Sequence, residues 1–371
     1  MSEPHRLLIL TAAFGEGHNS AARNLALAFA EAGVAARVCD PCLSATPALT
    51  RALERLYRFG TEHLPRGWKA VYDTIDHIDF NRFGIAATRK PQAWLAALMD
   101  EFRPTAVVST YPVYPYLLDR IFKVSGRRLP VFTVVTDSMA INSAWLRAPT
   151  DFWLVTDAAT RQSMSARPLP DDRIIDTGFA VNPVFARLRP LPAEVPCEPF
   201  RVLFFPTARR RMLVPMASAL LEAAPGVRMT MVLGRNVRRL YAEARKVKQS
   251  YPGRVRVRGW TRRVPWLLED HHLVVGKAGG ATVHEAIAAT CPMLIHHLVP
   301  GQEEGNLELL RLIGAGELAT RPAELNRRLA AMLAADAAGW RDMKRALIRH
   351  DRNSGALAAV RFILDHLAHR P

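Results

Sequence analysis

Short apolar, β-branched runs recur along this chain at intervals filled by helix-length segments, and this alternation narrows the possible folds more than any other feature. Leu7–Thr11 is followed by a glycine turn, a helix predicted from about Ser20 to Ala32 and closed by Gly33, and a second strand at Val34–Cys39. Runs at Ala106–Ser109, Val131–Thr136 and Phe152–Thr156 continue the pattern. Strands that alternate with helices require a parallel sheet covered on both faces. Between residues 186 and 199 the prolines Pro190, Pro192, Pro196 and Pro199 interrupt it, and we place the domain linker there. The same grammar then restarts at Val202–Phe205, Met229–Leu233, Val255–Trp260, Leu273–Gly276 and Met293–His296. The expected fold is α/β with two parallel-sheet domains, 1–188 and 198–354, and a last amphipathic helix in 355–371 packing back on the first. Two such domains leave a cleft, and open α/β sheets bind ligands at the carboxyl ends of their strands.

Composition supplies the first hint of a partner. The 371 residues are 49% hydrophobic and 23% charged, enough to build ordinary globular cores, yet the net charge is +16. Such an excess implies an anionic partner, nucleic acid or anionic lipid, although arginine-rich solvated faces account for part of it. No zinc-finger spacing or RNA-recognition aromatic signature is present, so nucleic acid rests on charge alone and is not expected as a partner. No apolar run approaches the roughly 18–20 residues that span a bilayer. Leu7–Leu10 is too short for a secretory signal, so the chain is expected in the cytoplasm, peripheral on the inner face of the membrane. Cys39 and Cys42 form a CxxC without the second pair that zinc needs, and the pattern ends a strand where a redox motif would open a helix. The pairs His271-His272 and His296-His297 would point to opposite faces of a strand and so do not chelate alone; no metal site is expected.

The segment from Leu53 to Trp94 interrupts the first domain without a clear strand. It interleaves Tyr57, Phe59, Trp68, Tyr72, Phe80 and Phe83 with Arg55, Arg58, Arg66, Lys69, Arg82, Arg89 and Lys90. Aromatic rings among cations suit an interfacial element on anionic lipid. The same aromatics equally suit a cap on the first core.

Chemistry concentrates at two consecutive strand-to-helix junctions. Gly276-Lys277-Ala278-Gly279-Gly280-Ala281-Thr282-Val283-His284-Glu285 follows an apolar strand; its glycines admit close backbone approach, and the next helix aims its first amides at a ligand. That is a diphosphate site, with Glu285 placed to accept from ribose hydroxyls. After the next strand, Pro300-Gly301-Gln302-Glu303-Glu304-Gly305-Asn306 brings an amide and carboxylates suited to sugar hydroxyls.

With these segments the chain resembles the lipid-directed glycosyltransferases that make monogalactosyl- and glucosyl-diacylglycerol, relatives of the peptidoglycan N-acetylglucosaminyltransferase. The resemblance runs from Thr11-Ala12-Ala13-Phe14-Gly15-Glu16-Gly17-His18 through Val135-Thr136-Asp137 and Gly178-Phe179-Ala180-Val181-Asn182-Pro183 to Lys277-Ala278-Gly279-Gly280 and Pro300–Asn306. It implies a GT-B fold of two facing Rossmann-like domains and an inverting transfer of a hexose, galactose or glucose, from a UDP-sugar. Diacylglycerol or a related membrane lipid is the implied acceptor, with no cofactor and no obligatory metal. By matching position, Gly279, Gly280 and Thr282 hold the diphosphate, Glu285 the ribose, and Gln302, Glu303 and Asn306 the sugar; His18 lies near the acceptor. Inversion needs a base for the acceptor hydroxyl and charge stabilisation for departing UDP. His18 is the first expected base and Asp137 the second, with Asp137 alternatively orienting His18 or capping the following helix.

Departures from the family are also visible. Phe205-Pro206-Thr207-Ala208-Arg209-Arg210-Arg211-Met212 stands where a glycine-rich turn usually opens the second domain; its arginines can contact phosphate or anionic lipid. Asn142-Ser143 and Asn182 replace a histidine and an arginine frequent in relatives. Two other readings compete. A nicotinamide enzyme fits Gly15, Gly17 and the acid Asp40, but has Ser20 at the third glycine position and leaves Gly276–Glu285 unexplained. A degenerate UDP-sugar or lipid binder is favoured only by the arginine loop.

Overall fold

The computed structural model describes residues 5–64, 67, 70, 74, 76–78, 85–301 and 303–369. The chain separates into two compact units. The first comprises Met1–Pro183, Pro300–Gly305 and Ser354–Pro371, the second Val184–Val299 and Asn306–Asn353.

The first unit holds a six-stranded, all-parallel sheet of β1 (Arg6–Leu10), β2 (Ala35–Cys39), β3 (Ala106–Ser109), β4 (Val131–Val134), β5 (Phe152–Val155) and β6 (Ile174–Asp176) in the order β2-β1-β3-β4-β5-β6. Central β1 and β3 are buried along nearly their whole length, because helices cover both faces and leave no wet side for polar residues. Edge strand β2 is largely exposed and carries Arg37, a charge that discourages pairing with another chain. On one face, Leu7 and Ile9 pack with Leu25 and Phe29 of helix Glu16–Glu31 and with Ala359, Val360 and Ile363 of the terminal helix Gly355–Ala368. On the other, Leu8 and Leu10 meet Leu95 and Leu98 of helix Ile85–Phe102 and Leu117 and Leu118 of helix Tyr114–Ser125.

The terminal helix reaches this core through backbone contact. Gly178 takes φ +82, and a Cβ on Gly355 would overlap the Phe179 carbonyl. The glycine of the 178–183 motif is therefore a packing turn for the terminal helix.

The second unit repeats the design with β7 (Phe200–Phe204), β8 (Val227–Val232), β9 (Val255–Arg258), β10 (Leu273–Lys277), β11 (Met293–His297) and β12 (Gly316–Leu318), also all parallel. Its order, β9-β8-β7-β10-β11-β12, is the doubly wound dinucleotide-fold order, and direction reverses between β7 and β10. In the first sheet the corresponding reversal lies between β1 and β3. Loops leaving these four strands are the places where open α/β sheets take ligands.

Candidate functional site

At the carboxyl edge of the first sheet the chain leaves β1 and turns at Gly15, whose φ of 110° suits glycine alone. Helix Glu16–Glu31 opens there, about a turn earlier than the sequence pattern predicts, and places His18 in its first turn. His18 is buried, with Nδ1 2.9 Å from Thr136 Oγ1. The hydroxyl of Thr110 donates to the His18 carbonyl at 3.1 Å, which ties the helix start to the end of β3. Tyr111 meets the imidazole edge-on at 5.2 Å and Trp145 tilts against it at 5.9 Å. Burial lowers the His18 pKa to about 4, partly offset by the Thr110 backbone, so the ring is neutral around pH 7.

Asp137, one residue beyond the threonine that holds His18, accepts from Trp145 Nε1 at 2.8 Å. Desolvation pushes its carboxyl up to about 6 against that hydrogen bond. Trp145 is itself fixed, since Trp153 Nε1 donates to its carbonyl at 2.8 Å. The geometry gives both side roles considered for Asp137 to other residues. Thr136, and not Asp137, bonds the His18 ring, and Asn142, accepting from Ala144 N at 2.9 Å, caps helix Ser143–Leu146. Trp145 thus touches both titratable groups.

Two competing motifs are occupied structurally. Asp40, the acid of the nicotinamide reading, accepts from Leu43 N at 3.0 Å as the cap of helix Pro41–Ala45 and from Tyr114 OH at 2.6 Å. Burial pushes the Cys39 thiol up to about 12 and raises that of Cys42, which keeps the CxxC in the unreactive thiol form.

In the second unit, Gly279 is the N-cap of helix Gly280–Ala288 and brings no side-chain cap, which leaves the first helical amides to a ligand or solvent. Thr282 lies in the first turn and Glu285, half-buried, in the second. Gly276 is closely packed, with Met293, Phe205 and Thr282 all within 4 Å of where a Cβ would stand. Asn306, in helix Glu304–Ile313, donates from Nδ2 to the Ala278 carbonyl at 2.9 Å and so braces the loop before Gly279. Its Oδ1 is buried without a partner. Gly279, Gly280, Thr282, Glu285 and Asn306 are therefore brought together on one unit. Buried Glu303 falls in the first unit beside Gly305, which abuts the Ser138 carbonyl; Gln302 lies outside the described residues.

The arginine loop has a more divided structure than its sequence suggests. Arg210 and Arg211 open helix Arg210–Leu221, and Arg210 is paired with Glu243 through Nε and Nη2 at 3.0 and 2.8 Å. The histidine pairs also separate by role. His271 spans Leu267 O and Thr230 Oγ1, His272 accepts from Arg201 N, and His296 Nε2 lies 3.0 Å from Phe205 O.

The expected interfacial segment is described only in part; Trp68, Tyr72, Phe80, Phe83, Arg66, Lys69 and Arg82 lie outside the described residues. Within it, helix Pro47–His63 is amphipathic in an unusual sense. Leu49, Leu53, Leu56 and Phe59 are exposed along successive turns, whereas Thr50 and Thr61 are buried. Arg51, Arg55 and Arg58 occupy other exposed positions. Tyr57 turns inward and meets Phe14 edge-on at 6.0 Å, so this aromatic caps the first core.

Comparison with known proteins fits this geometry. The family model for monogalactosyldiacylglycerol (MGDG) synthase matches residues 18–181, a stretch that includes His18, Asp137 and the Gly178 turn. Over 344 residues the chain is 24% identical to a processive diacylglycerol beta-glucosyltransferase of Bacillus cytotoxicus, covering 89% of this chain and 86% of that protein. It is 23% identical to the enzyme of the same description from Bacillus thuringiensis, with the same coverage. Among solved structures, Acinetobacter baumannii MurG superposes with a TM-score of 0.61 at 17% identity, covering 98% of this chain and all of that one. Anabaena HepE in complex with UDP gives 0.55 at 12% identity, covering 99% of this chain and all of that one. A UDP-GlcNAc 2-epimerase from Neisseria meningitidis gives 0.59 at 11%, covering 98% and 100%. An epimerase on the same GT-B fold means that the fold alone does not name the reaction. The sequence likenesses narrow it: part of the chain matches the monogalactosyldiacylglycerol synthase model, nearly all of it is similar to processive diacylglycerol glucosyltransferases, and the protein is a glycosyltransferase.

Proposed function

We propose that this enzyme transfers a hexose, glucose or galactose, from a UDP-sugar to diacylglycerol or a related membrane lipid, with inversion, at a membrane surface. The observation that carries the donor half is the uncapped start of helix Gly280–Ala288 beside the β7/β10 switch point. Amides at such a position meet a diphosphate without a metal clamp and stabilise the charge of departing UDP. Gly279, Gly280 and Thr282 contact the diphosphate, Glu285 the ribose, and Gln302, Glu303 and Asn306 the sugar. The unpartnered Oδ1 of Asn306 supports this assignment, because a hydroxyl-bearing ligand would satisfy it. The acceptor half draws on the diacylglycerol glucosyltransferases to which the chain is similar.

On the acceptor side, His18 and Asp137 manage the proton of the attacking hydroxyl. His18 is held neutral and Asp137 is ionised above about pH 6, so both are in basic form at neutral pH. Residues 1–188 form the acceptor and membrane-binding part, residues 198–354 the donor part. No helix among the described residues is long and apolar enough to cross a membrane. The exposed leucines of helix Pro47–His63 instead seat the enzyme on lipid, with Arg51, Arg55 and Arg58 meeting anionic headgroups.

The test is transfer itself. Purified protein is mixed with UDP-glucose or UDP-galactose and diacylglycerol in anionic vesicles, and lipid products are read by mass spectrometry. A hexosyl-diacylglycerol is expected from one donor. UDP binding without product on any lipid would replace this reading with a non-catalytic UDP-sugar binder.

A further inference from the structure

We propose that the second unit carries a lipid contact of its own: the corner where strand β9 ends and helix Val237–Ser250 begins docks on an anionic membrane surface through Arg238, Arg239, Arg262 and Arg263 around the ring of Trp260. The choice of lipid rests on the membrane reading above, but the contact is separate from helix Pro47–His63 and from the donor site.

The net charge of the chain is not spread evenly. Between residues 235 and 263 stand 11 of the 50 Lys and Arg residues and a single acid, Glu243, so this stretch holds most of the +16. A basic run on exposed elements is ordinarily a solvated face, and several of these cations have local duties. Arg254 donates to the carbonyls of Val227 and Ala224 at 3.0 and 3.1 Å. Arg256 and Arg258 occupy exposed positions on edge strand β9, where charge deters pairing with another chain. Lys246 is answered by Glu243, which also holds Arg210. Arg238, Arg239, Arg262 and Arg263 have no such duty: all four are exposed, and none makes an ion pair among the described residues.

Packing puts these four at one corner. Leu240, Ala244 and Val247 of the helix share a core with Val255 and Val257 of β9, so the cationic side of the helix faces outward. At the strand ends Leu233 N donates to Arg258 O at 2.9 Å, and a Cβ on Gly259 would stand 3.7 Å from Val237 Cγ2. The loop with Trp260, Arg262 and Arg263 therefore leaves β9 against the first turn of the helix, which carries Arg238 and Arg239. That turn has no acid and no side-chain cap to offset the two arginines. Trp260 is 56% exposed, and Arg262 Cζ lies 5.5 Å from its ring centre. A large ring left in water among cations suits the headgroup region, where the ring leaves water and the guanidiniums meet lipid phosphates. Lipid is favoured over nucleic acid because one exposed ring is no row of stacking platforms and because the proposed acceptor is itself a lipid.

The experiment measures partition of the full chain onto equimolar phosphatidylcholine and phosphatidylglycerol vesicles by co-sedimentation, at low and at high salt. The pair Arg238→Gln, Arg239→Gln and the pair Arg262→Gln, Arg263→Gln are each expected to weaken binding about tenfold or more at low salt, with Tm nearly unchanged at these exposed positions. The charge-matched pair Arg245→Gln, Lys248→Gln, farther along the same helix, is expected to stay within about threefold of wild type. Arg238→Lys, Arg239→Lys retains most of the binding, and Trp260→Ser loses about threefold at either salt concentration. On a Leu53→Glu, Leu56→Glu background, the remaining salt-sensitive binding is expected to vanish with Arg238→Gln, Arg239→Gln. Full binding in the two arginine pairs would overturn the corner contact. An equal loss in the charge-matched pair would also overturn it, because net charge alone would then explain the binding. Wild type that ignores anionic vesicles would overturn this contact together with the membrane reading, while UDP binding would keep the donor reading standing. A single-stranded oligonucleotide is the competing probe: arginine-dependent binding to it, with vesicle binding untouched by the same variants, would reassign the corner to nucleic acid.

Discussion

At the residue scale, the pair His18 and Asp137 makes opposite demands on pH. Burial of a neutral imidazole lowers one pKa to about 4 and burial of a carboxylate raises the other to about 6. With Asp137 required in its ionised form, kcat/KM is expected to fall as pH drops through about 6, where a profile governed by His18 alone would hold until about 4. A fall near 4 would remove Asp137 from the mechanism. His18→Ala is expected to reduce turnover roughly 100-fold or more while leaving UDP affinity near wild type; equal losses in both would mark His18 as a structural residue. Stability supplies a separate readout. A carboxyl whose folded pKa lies above its unfolded value favours the native state in its protonated form, so its ionisation lowers stability as pH rises from about 4 to about 6. Asp137→Asn keeps an acceptor for Trp145 Nε1 and should therefore raise Tm at pH 7–8, with the gain vanishing at pH 4. A constant difference across that range would contradict the burial cost.

At the element scale, the terminal helix depends on one glycine. Gly355→Ala places a methyl against the Phe179 carbonyl, and relieving the overlap means lifting helix Gly355–Ala368 from Leu7, Leu25 and Phe29. A cost of about 1–3 kcal/mol is expected, seen as a lower Tm and as faster amide exchange in residues 355–368 than elsewhere. Unchanged exchange there would mean that the backbone accommodates the methyl. The sequence makes this helix visible through its periodicity, but not its dependence on Gly355, which arises from a contact 176 positions away. Most strands were legible for a simple reason: β1 and β3 are buried on both faces and read as unbroken apolar runs. Strands β6 and β12, three residues each, carry too little pattern to be read. The candidate site divides similarly. Glycine turns and His18 are local signals, whereas the Thr136 bond to His18 and the Asn306 brace on Ala278 join segments 118 and 28 positions apart, and the Trp145 bond to Asp137 depends on a loop conformation that no periodicity marks. The fate of Asp40 shows the same limit, since a spacing that imitates a ribose-binding acid is in fact a helix cap held by Tyr114.

At the scale of the whole molecule, a net charge of +16 and an exposed leucine stripe ask to be weighed against each other. Charge acts at a distance and is screened within about 8 Å at physiological ionic strength, so it governs approach to an anionic surface. Burial of apolar surface acts only on contact and persists in salt. If helix Pro47–His63 enters the headgroup region, the two contributions separate experimentally. Wild-type protein is expected to co-sediment with vesicles containing anionic lipid and to bind neutral vesicles far more weakly, with partial release at high salt. Leu53→Glu and Leu56→Glu, both at exposed positions, are expected to leave Tm within a degree or two and to weaken vesicle binding roughly tenfold each, whatever the salt. Binding that is fully lost in salt and indifferent to these leucines would mean that the excess charge alone holds the protein to lipid. The acceptor would then have to reach a site that is not itself embedded, and turnover on a short-chain, water-dispersed diacylglycerol would match that on vesicles. With the leucine stripe embedded, vesicle substrate is expected to outperform the dispersed one, and that preference should disappear in the Leu53→Glu, Leu56→Glu double variant.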